Sequence, residues 1–339
     1  MFTKTIESLI QGKSLTSEQA SLAMELIMEG SVSDVEFGSF VTAMRMKNET
    51  VQEIVGMARV MRSKSLKVSV DLPVLDTCGT GGDGSKSFNI STTTAFVVAG
   101  AGVKVAKHGN RAMSSSCGSA DILEKLGANI DLAPNDVERC IEETGFGFMF
   151  AQRYHPSMKF AAKPRKDLGL RTVFNILGPL TNPANAEFHL LGVADPSTGK
   201  KIAQVLAELG SKRALVVHGK DNLDEVTLSD NTQVWELKNN SIIEYEICPK
   251  DFGFDYINKE DIQVKDIDES IQVIMNIFNG LHSPHREIVL INSAVALLAS
   301  DTVSDIKSGI EAAKESIDTG KALNAMNSFI KLSKELKPD

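Results

Sequence analysis

The chain lacks the marks of an exported, membrane-bound or nucleic-acid-binding protein. Its four cysteines, Cys78, Cys117, Cys140 and Cys248, lie far apart, with neither metal-type pairing nor a disulfide framework. They read as reduced thiols in a cytoplasmic protein. No run approaches the ~18 apolar residues of a membrane span. The first residues carry an early Glu7 and no signal-type apolar core. A basic excess is missing as well: 36 Lys and Arg stand against 44 Asp and Glu, a net charge of −8. That balance argues against a general nucleic-acid or membrane-surface binder, which needs a basic face. Low-complexity segments, long linkers and convincing internal repeats are absent too. The expectation is a soluble, cytoplasmic protein with no nucleic-acid or membrane partner.

What is present is an ordinary globular composition, 42% hydrophobic and 24% charged over 339 residues. That is enough chain for one large domain or two modest ones. The first seventy residues read as purely helical. Capping boxes pair Thr16 with Gln19, Ser33 with Glu36 and Thr50 with Glu53. Each opens a run with apolar residues at helical spacing, such as Leu22, Leu26 and Ile27, or Val51, Ile54, Val55 and Met57. Gly30 is placed to end one of these helices.

From Val74 the pattern changes to alternation. Strands are expected at 74–76, 103–106, 146–151, 188–193 and 214–218, with helices at 91–100, 119–126, 135–144 and 199–209. Such alternation with short connections implies a mostly parallel sheet covered by helices, an α/β fold. Residues 232–237 and 242–247 flank the turn-prone Lys238-Asn239-Asn240-Ser241 and read as a hairpin. The tail from Asp268 is helical again, with 289–299 apolar enough to be a buried helix. Pro156, Pro164, Pro179 and Pro183 punctuate residues 155–183 and disfavour continuous helix there. This stretch reads as a crossing back to the helical part and a return, so that two connections form a hinge. The expected division is a small helical domain, 1–72, joined by about 164–182, and a large α/β domain, 73–163 with 183–339.

Two segments carry chemistry. After the apolar Val74-Leu75 comes a turn with Gly79, Gly81, Gly82 and Gly84, then a cap-rich helix start at Asn89, Ser91 and Thr92. Glycines let several N–H groups point into one hollow, and a helix N-terminus adds partial positive charge. The result suits a phosphate cradle, though it fits no Walker A spacing and its Gly-x-Gly-x-x-Gly is a weak dinucleotide signal. Alone, it also reads as a plain glycine-rich turn. The second segment runs from Lys107 to Asp121 and crowds Lys107, Arg111, Asn110, Ser114, Ser115, Ser116 and Ser119 around Gly109 and Gly118. It suits a ligand with several anionic oxygens and sugar hydroxyls, or else makes a polar surface loop.

These two segments closely resemble those of the anthranilate phosphoribosyltransferases. Arg171-Thr172-Val173-Phe174-Asn175-Ile176-Leu177-Gly178-Pro179-Leu180-Thr181-Asn182-Pro183 resembles that family's long signature and is more specific than any glycine loop. The resemblance runs from the N-terminal helices through at least residue 300. It implies a nucleoside-phosphorylase-like phosphoribosyltransferase fold with the active site in the cleft between domains. It implies a homodimer joined through the helical domain, magnesium (two ions per subunit) and, as in some relatives, association with anthranilate synthase. The implied reaction transfers the phosphoribosyl group of phosphoribosyl diphosphate to the amine of anthranilate.

The resemblance also implies residue roles. Gly79, Gly82, Asp83, Ser87, Asn89, Ile90, Ser91 and Thr92 match the diphosphate-binding loop and helix start. Lys107, His108, Gly109, Asn110, Arg111, Ala112, Met113, Ser114 and Ser115, with Ser119, match the second phosphoribosyl-binding segment. Asn110, Arg165 and the backbone of Gly79 match anthranilate contacts, and Ser91, Asp224 and Glu225 match magnesium ligands. No residue is expected to act covalently or as acid or base. His108 and His155 read as hydrogen-bond anchors, since an aniline-type nitrogen carries no proton to lose before attack. On chemistry alone, Asp224-Glu225 also fits a solvated surface pair, and Arg165 a basic helix start. Two positions depart from the family: Ser87 stands where Thr is common, and Asn222 where Gly is common. Asn tolerates left-handed backbone, so the loop can survive that exchange. Two alternatives remain, a nucleoside phosphorylase on the same fold and a non-catalytic nucleic-acid-binding relative. The acidic pair speaks against the first and the net charge against the second.

Overall fold

Caps and apolar spacing build the N-terminal part. The computed structural model describes residues 2–112 and 117–336. Its first elements are α1 (Phe2–Ile10), α2 (Ser17–Met28), α3 (Asp34–Lys47) and α4 (Val51–Ser63). All three capping boxes close, the hydroxyls of Thr16, Ser33 and Thr50 each accepting from the backbone amide three residues on. Gly30, at φ 74°, follows the end of α2. The buried stripe of α2 is Ala20, Ala23, Met24, Ile27 and Met28, while Leu22 is 42% exposed. Leu22 therefore lies outside the core stripe to which its spacing had assigned it.

The sheet has seven strands in the order β3-β2-β1-β4-β5-β6-β7. They are β1 (Leu75–Gly79), β2 (Val105–Gly109), β3 (Phe146–Phe150), β4 (Phe188–Gly192), β5 (Arg213–Gly219), β6 (Thr232–Lys238) and β7 (Ser241–Ile247). Strands β1 to β5 run parallel, and β6 and β7 add antiparallel at one edge. The β6–β7 turn puts Asn239 and Asn240 at φ 51° and 58°, the left-handed pair that a two-residue hairpin requires. Two expected strands are displaced. β1 runs on to Gly79 because each residue from Leu75 to Gly79 pairs with one of β4. β2 starts at Val105 and takes in Lys107, His108 and Gly109, which pair with Phe148, Met149 and Phe150.

Period-two alternation divides the core between the sheet faces. Leu215 and Val217 of β5 join the cluster with Phe96, Val295 and Phe329, whereas Ala214 and Val216 join the one containing Phe40, Ile54 and Ile202. The first face is covered by α5 (Ile90–Gly100), then, after α6 (Ser119–Lys125), by α7 (Pro134–Thr144). Between α8 (Ala151–Tyr154) and β4 lie α9 (Lys159–Leu168) and α10 (Val173–Leu177), of which α9 packs on α2 and α3, and α10 on α3 and α4. Pro164 sits inside α9, where its spacing had argued for a break. It is buried there, and packing compensates for the one helical N–H it cannot donate. On the opposite face α11 (Gly199–Glu208) joins α4 to β5 and β6. The C-terminal α12 (Ile267–Phe278), α13 (Pro284–Ala299), α14 (Ile306–Asp318) and α15 (Lys321–Glu335) complete the first face, with α13 buried along nearly its whole length. Among the described residues no helix is long and apolar enough to cross a membrane.

Glu53 is the polar hub of the helical part. Its buried carboxylate accepts from the backbone amides of Leu15 and Thr50 and from Lys47 Nζ, each at 2.8 Å. Removing one partner of a buried ion pair is costly. Glu53→Ala is expected to lower stability by roughly 3 kcal/mol; a urea midpoint equal to wild type would show that the hub is dispensable.

Candidate active site

Strand order reverses beside β1, which has β2 on one side and β4 on the other. In open α/β sheets ligands bind outside the carboxyl ends of the strands at such a switch point. Here those ends are Gly79 and Gly192, paired in register. The loop after β5 folds over both. An added Cβ on Gly192 would overlap the main chain of Asp224, and one on Gly79 would overlap the Asp224 carboxylate. Absent side chains at two strand ends thus admit the acidic loop. Gly192 was not singled out from the sequence, and its only signal was a glycine closing an apolar strand.

Asp224 Oδ2 accepts from the amide of Gly81 at 2.7 Å. Gly81, Gly82 and Gly84 have φ of 67°, 76° and 72°, so the turn is left-handed three times over. The acidic loop is held independently from α13. Buried Asn292 accepts from Val226 N at 2.9 Å and donates to Val226 O at 2.8 Å. Asn222 has φ 74°, the left-handed conformation expected where the family commonly has glycine. No local pattern marked Asn292, which lies 66 residues from its partner.

Three carboxylates meet here. Burial first, then repulsion by Asp83, pushes Asp224 up to about 7, against the stabilising Gly81 amide. Burial and Asp224 raise Glu225 well above the usual carboxylate range, opposed by Lys107 and the Ser91 amide at the start of α5. Such a set is short of positive charge and fits a divalent cation. Adjacent Asp224 and Glu225 beside Ser91 fit magnesium, which takes one or two carboxylates, ligand phosphates and water, although among the described residues no group of three or more His, Cys, Asp or Glu is placed to hold a metal by itself.

The helix start differs from its expected capping. α5 begins at Ile90, and Asn89 makes no side-chain cap to it. Instead Asn89 Nδ2 donates to Cys117 O at 3.3 Å, while its Oδ1 accepts from Ser270 Oγ at 3.0 Å. Ile90 and Thr92 are buried, so Ile90 can offer a ligand only its backbone. Ser87 Oγ lies 3.1 Å from Ser85 Oγ, and Ser85 N donates to Asp83 Oδ1.

The second segment is more internal than a surface loop. Lys107 is 2% exposed, and its Nζ donates to the Thr77 carbonyl and, at 3.2 Å, to Ser91 Oγ. Burial pulls its pKa down, while Asp76 supports the charge. Asp76 is buried and accepts from His108 N at 3.2 Å and Asn182 Nδ2 at 2.7 Å. Burial raises it to about 6. The rings of His108 and His155 lie 5.0 Å apart. Burial drives His108 well below its usual range and His155 to about 4, so both are neutral near pH 7, with the Gly178 and Thr181 carbonyls as partners. They anchor the signature segment.

Asn110 is exposed; its carbonyl accepts from Ala120 N and Ser119 Oγ. Arg111 is turned onto Asp121 and Glu124 of α6, and Ala112 N donates to Asp121 Oδ2 at 3.0 Å. Gly109 leaves room for Ser119 Oγ. Met113, Ser114 and Ser115 lie outside the described residues. Arg165, half-buried on α9, stacks on Phe174 at 5.3 Å. Burial lowers its pKa, and among the described residues no carboxylate pairs with it. Arg165 is thus a desolvated guanidinium lacking an anion.

Comparison with known proteins finds relatives along the whole chain. The model described as "Glycosyl transferase family, a/b domain" matches residues 71–323, and "Glycosyl transferase family, helical bundle domain" matches residues 3–65. The chain is 50% identical over 334 residues to the anthranilate phosphoribosyltransferase of Acetivibrio thermocellus, covering 98% of this chain and 97% of that one. It is 49% identical over 338 residues to that of Dehalococcoides mccartyi, covering 99% of both. The crystal structure of anthranilate phosphoribosyltransferase from Thermus thermophilus superposes with a TM-score of 0.92 at 37% identity, covering 97% of this chain and 99% of that one. The Saccharomyces cerevisiae enzyme in complex with PRPP and Mg gives 0.91 at 29% identity, covering 99% of this chain and 98% of that one.

Gly192→Ala must displace the Asp224 main chain. It is expected to weaken Mn²⁺ binding in the presence of pyrophosphate by about tenfold, as supporting-shell changes do. Calorimetry giving wild-type affinity would remove Gly192 from the site.

Proposed function

The chain belongs to the anthranilate phosphoribosyltransferase family, and from that membership and its site we infer how it works. It transfers the phosphoribosyl group of 5-phosphoribosyl 1-diphosphate to the amine of anthranilate, giving N-(5-phosphoribosyl)anthranilate and pyrophosphate, a step of tryptophan biosynthesis. The observation that carries this reading within the chain is the meeting of the glycine turn, the start of α5 and the Asp224-Glu225 loop at the switch point.

In this reading the backbone of Gly79, Gly82 and Ile90, with Asp83, Ser87, Asn89, Ser91 and Thr92, holds the diphosphate. Lys107, His108, Gly109, Asn110, Arg111, Ala112, Met113, Ser114, Ser115 and Ser119 surround the phosphoribosyl part. Lys107 acts from beneath: its ammonium is committed to Thr77 and Ser91, so it orients Ser91 and supplies charge to the cleft floor. Ser91, Asp224 and Glu225 hold magnesium, two ions per subunit, which when bound neutralises charge on the diphosphate. Arg165, prestacked on Phe174, offers its fork to the anthranilate carboxylate, while Asn110 and the Gly79 backbone flank the ring.

The reaction needs no covalent enzyme intermediate. The C1–O bond breaks early, the ribose takes oxocarbenium character, and the amine lone pair forms the new C1–N bond. The proton is shed only after that bond exists, so neutral His108 and His155 serve as anchors, not bases. Closure of the helical domain (1–72 with about 164–182) on the α/β domain (73–163 and 183–339) aligns the amine with C1. Exposed Ile10 on α1 and Leu22 on α2 support a homodimer through the helical domain. A cytoplasmic location fits four widely spaced cysteines that read as reduced thiols, and association with anthranilate synthase follows some relatives.

The direct test follows anthranilate fluorescence after adding phosphoribosyl diphosphate and Mg²⁺. A decay that EDTA stops is expected; no decay from folded protein would bring a nucleoside phosphorylase forward. In the same assay Asp224→Asn should depress turnover by about a hundredfold and raise the magnesium requirement. Wild-type rates at ordinary magnesium would take Asp224 out of the metal role. Arg165→Ala should raise the KM for anthranilate roughly ten- to hundredfold, and an unchanged KM would reject its carboxylate contact.

A further inference from the structure

We propose that Arg171 is a positioning residue for the diphosphate: from the connection between α9 and α10 it holds the Gly81–Gly82 turn, and through that turn the Asp224 carboxylate. The inference rests on the site reading above and adds a residue to it. Arg171 Nη1 donates to Gly81 O at 2.8 Å, and Gly81 N donates to Asp224 Oδ2 at 2.7 Å. Gly81 is thus gripped at both ends, by a cation on its carbonyl and by a carboxylate on its amide. The fit at the next residue is closer still. A Cβ added to Gly82 would overlap the Arg171 guanidinium, so this glycine is required both for its φ of 76° and for the room it leaves Arg171.

Arg171 is itself fixed from behind. Arg45 on α3 donates through Nη1 to the Arg171 carbonyl, and Thr172 N donates to Asn175 Oδ1 at 2.9 Å at the start of α10. The result is a chain of contacts from the helical part, through Arg171 and the glycine turn, to the acidic loop. Among the described residues no carboxylate pairs with Arg171, so its charge faces the turn without an internal counter-ion. A guanidinium that donates to a carbonyl and keeps its remaining donors free suits the edge of a diphosphate site. Arg171 also lies six residues beyond Arg165 and just past the end of α9, so the contact ties the helix that carries Arg165 to the turn at the diphosphate side.

The test compares wild type with Arg171→Met, which keeps the length of the stem and removes every donor. Isothermal titration with pyrophosphate and Mg²⁺ should show affinity weakened by about tenfold, the loss of one charged hydrogen bond. The KM for phosphoribosyl diphosphate should rise in parallel, while the KM for anthranilate and the melting temperature stay at wild-type values. Arg171→Lys, which restores charge without the planar fork, should recover part of the loss. Gly82→Ala should be less harmful when combined with Arg171→Met than additivity requires, because the overlap is then gone. Unchanged pyrophosphate affinity in Arg171→Met would overturn the proposal. So would a fall in melting temperature accompanied by equal loss for both substrates, which would mark a structural latch. Failure of wild type itself to bind pyrophosphate with Mg²⁺ would bring down the site reading and the proposal together, before any substitution is compared.

Discussion

The site depends on the approach of the Asp224 loop to the ends of β1 and β4. The Asp224 main chain and carboxylate fill the space that side chains at Gly192 and Gly79 would occupy. That approach lets the Gly81 amide reach Asp224 and sets the acidic pair beside the start of α5. Asn292 secures the same loop from the buried helix α13, so its position is determined twice, from the sheet and from the helix layer. Positioning of this kind is what a site needs when its chemistry is alignment and charge stabilisation with no covalent step.

Electrostatics then set what the cleft can take. The whole chain is acidic, with a net charge of −8, and Asp83, Asp224 and Glu225 converge with Lys107 as their neighbouring cation. Burial makes that crowding expensive, which is why Asp224 is pushed up to about 7. A divalent cation shared with a diphosphate reverses the imbalance, since it neutralises both the carboxylates and the ligand. Beneath the site Asp76, Lys107 and Asn182 form a buried polar layer that joins β1 and β2 to the turn after α10. The cleft floor and the returning segment are thereby one hydrogen-bonded body.

Much of this was legible in the sequence wherever the cause is local. The three capping boxes, the left-handed glycines and the Asn239-Asn240 turn each depend on residues within a few positions of one another. Asn222 carries the backbone its residue type announced. What escaped depends on partners far along the chain. Gly192, Asn292, Asp76 with Asn182, and Arg171 with Gly81 are defined by neighbours tens of residues away, which no spacing pattern encodes. Lys107 and His108 looked like loop residues because polarity was read as exposure. Parallel pairing to β3 places them in a strand. Arg111 pairs with Asp121 and Glu124 on α6, partners that its residue type alone does not announce. Leu22 fitted a helical stripe, but the side of a helix that faces the core is decided by its neighbours.

The central claim is that the acidic loop seated on Gly79 and Gly192 is where the metal and the diphosphate meet. A crystal grown with phosphoribosyl diphosphate and Mn²⁺, measured at the manganese absorption edge, tests it directly. The account predicts an anomalous peak bonded to a carboxylate oxygen of Asp224 or Glu225 and to diphosphate oxygens beside Ser91. A peak on the diphosphate with both carboxylates turned away, or diphosphate bound outside the Gly79–Gly84 turn, would contradict it.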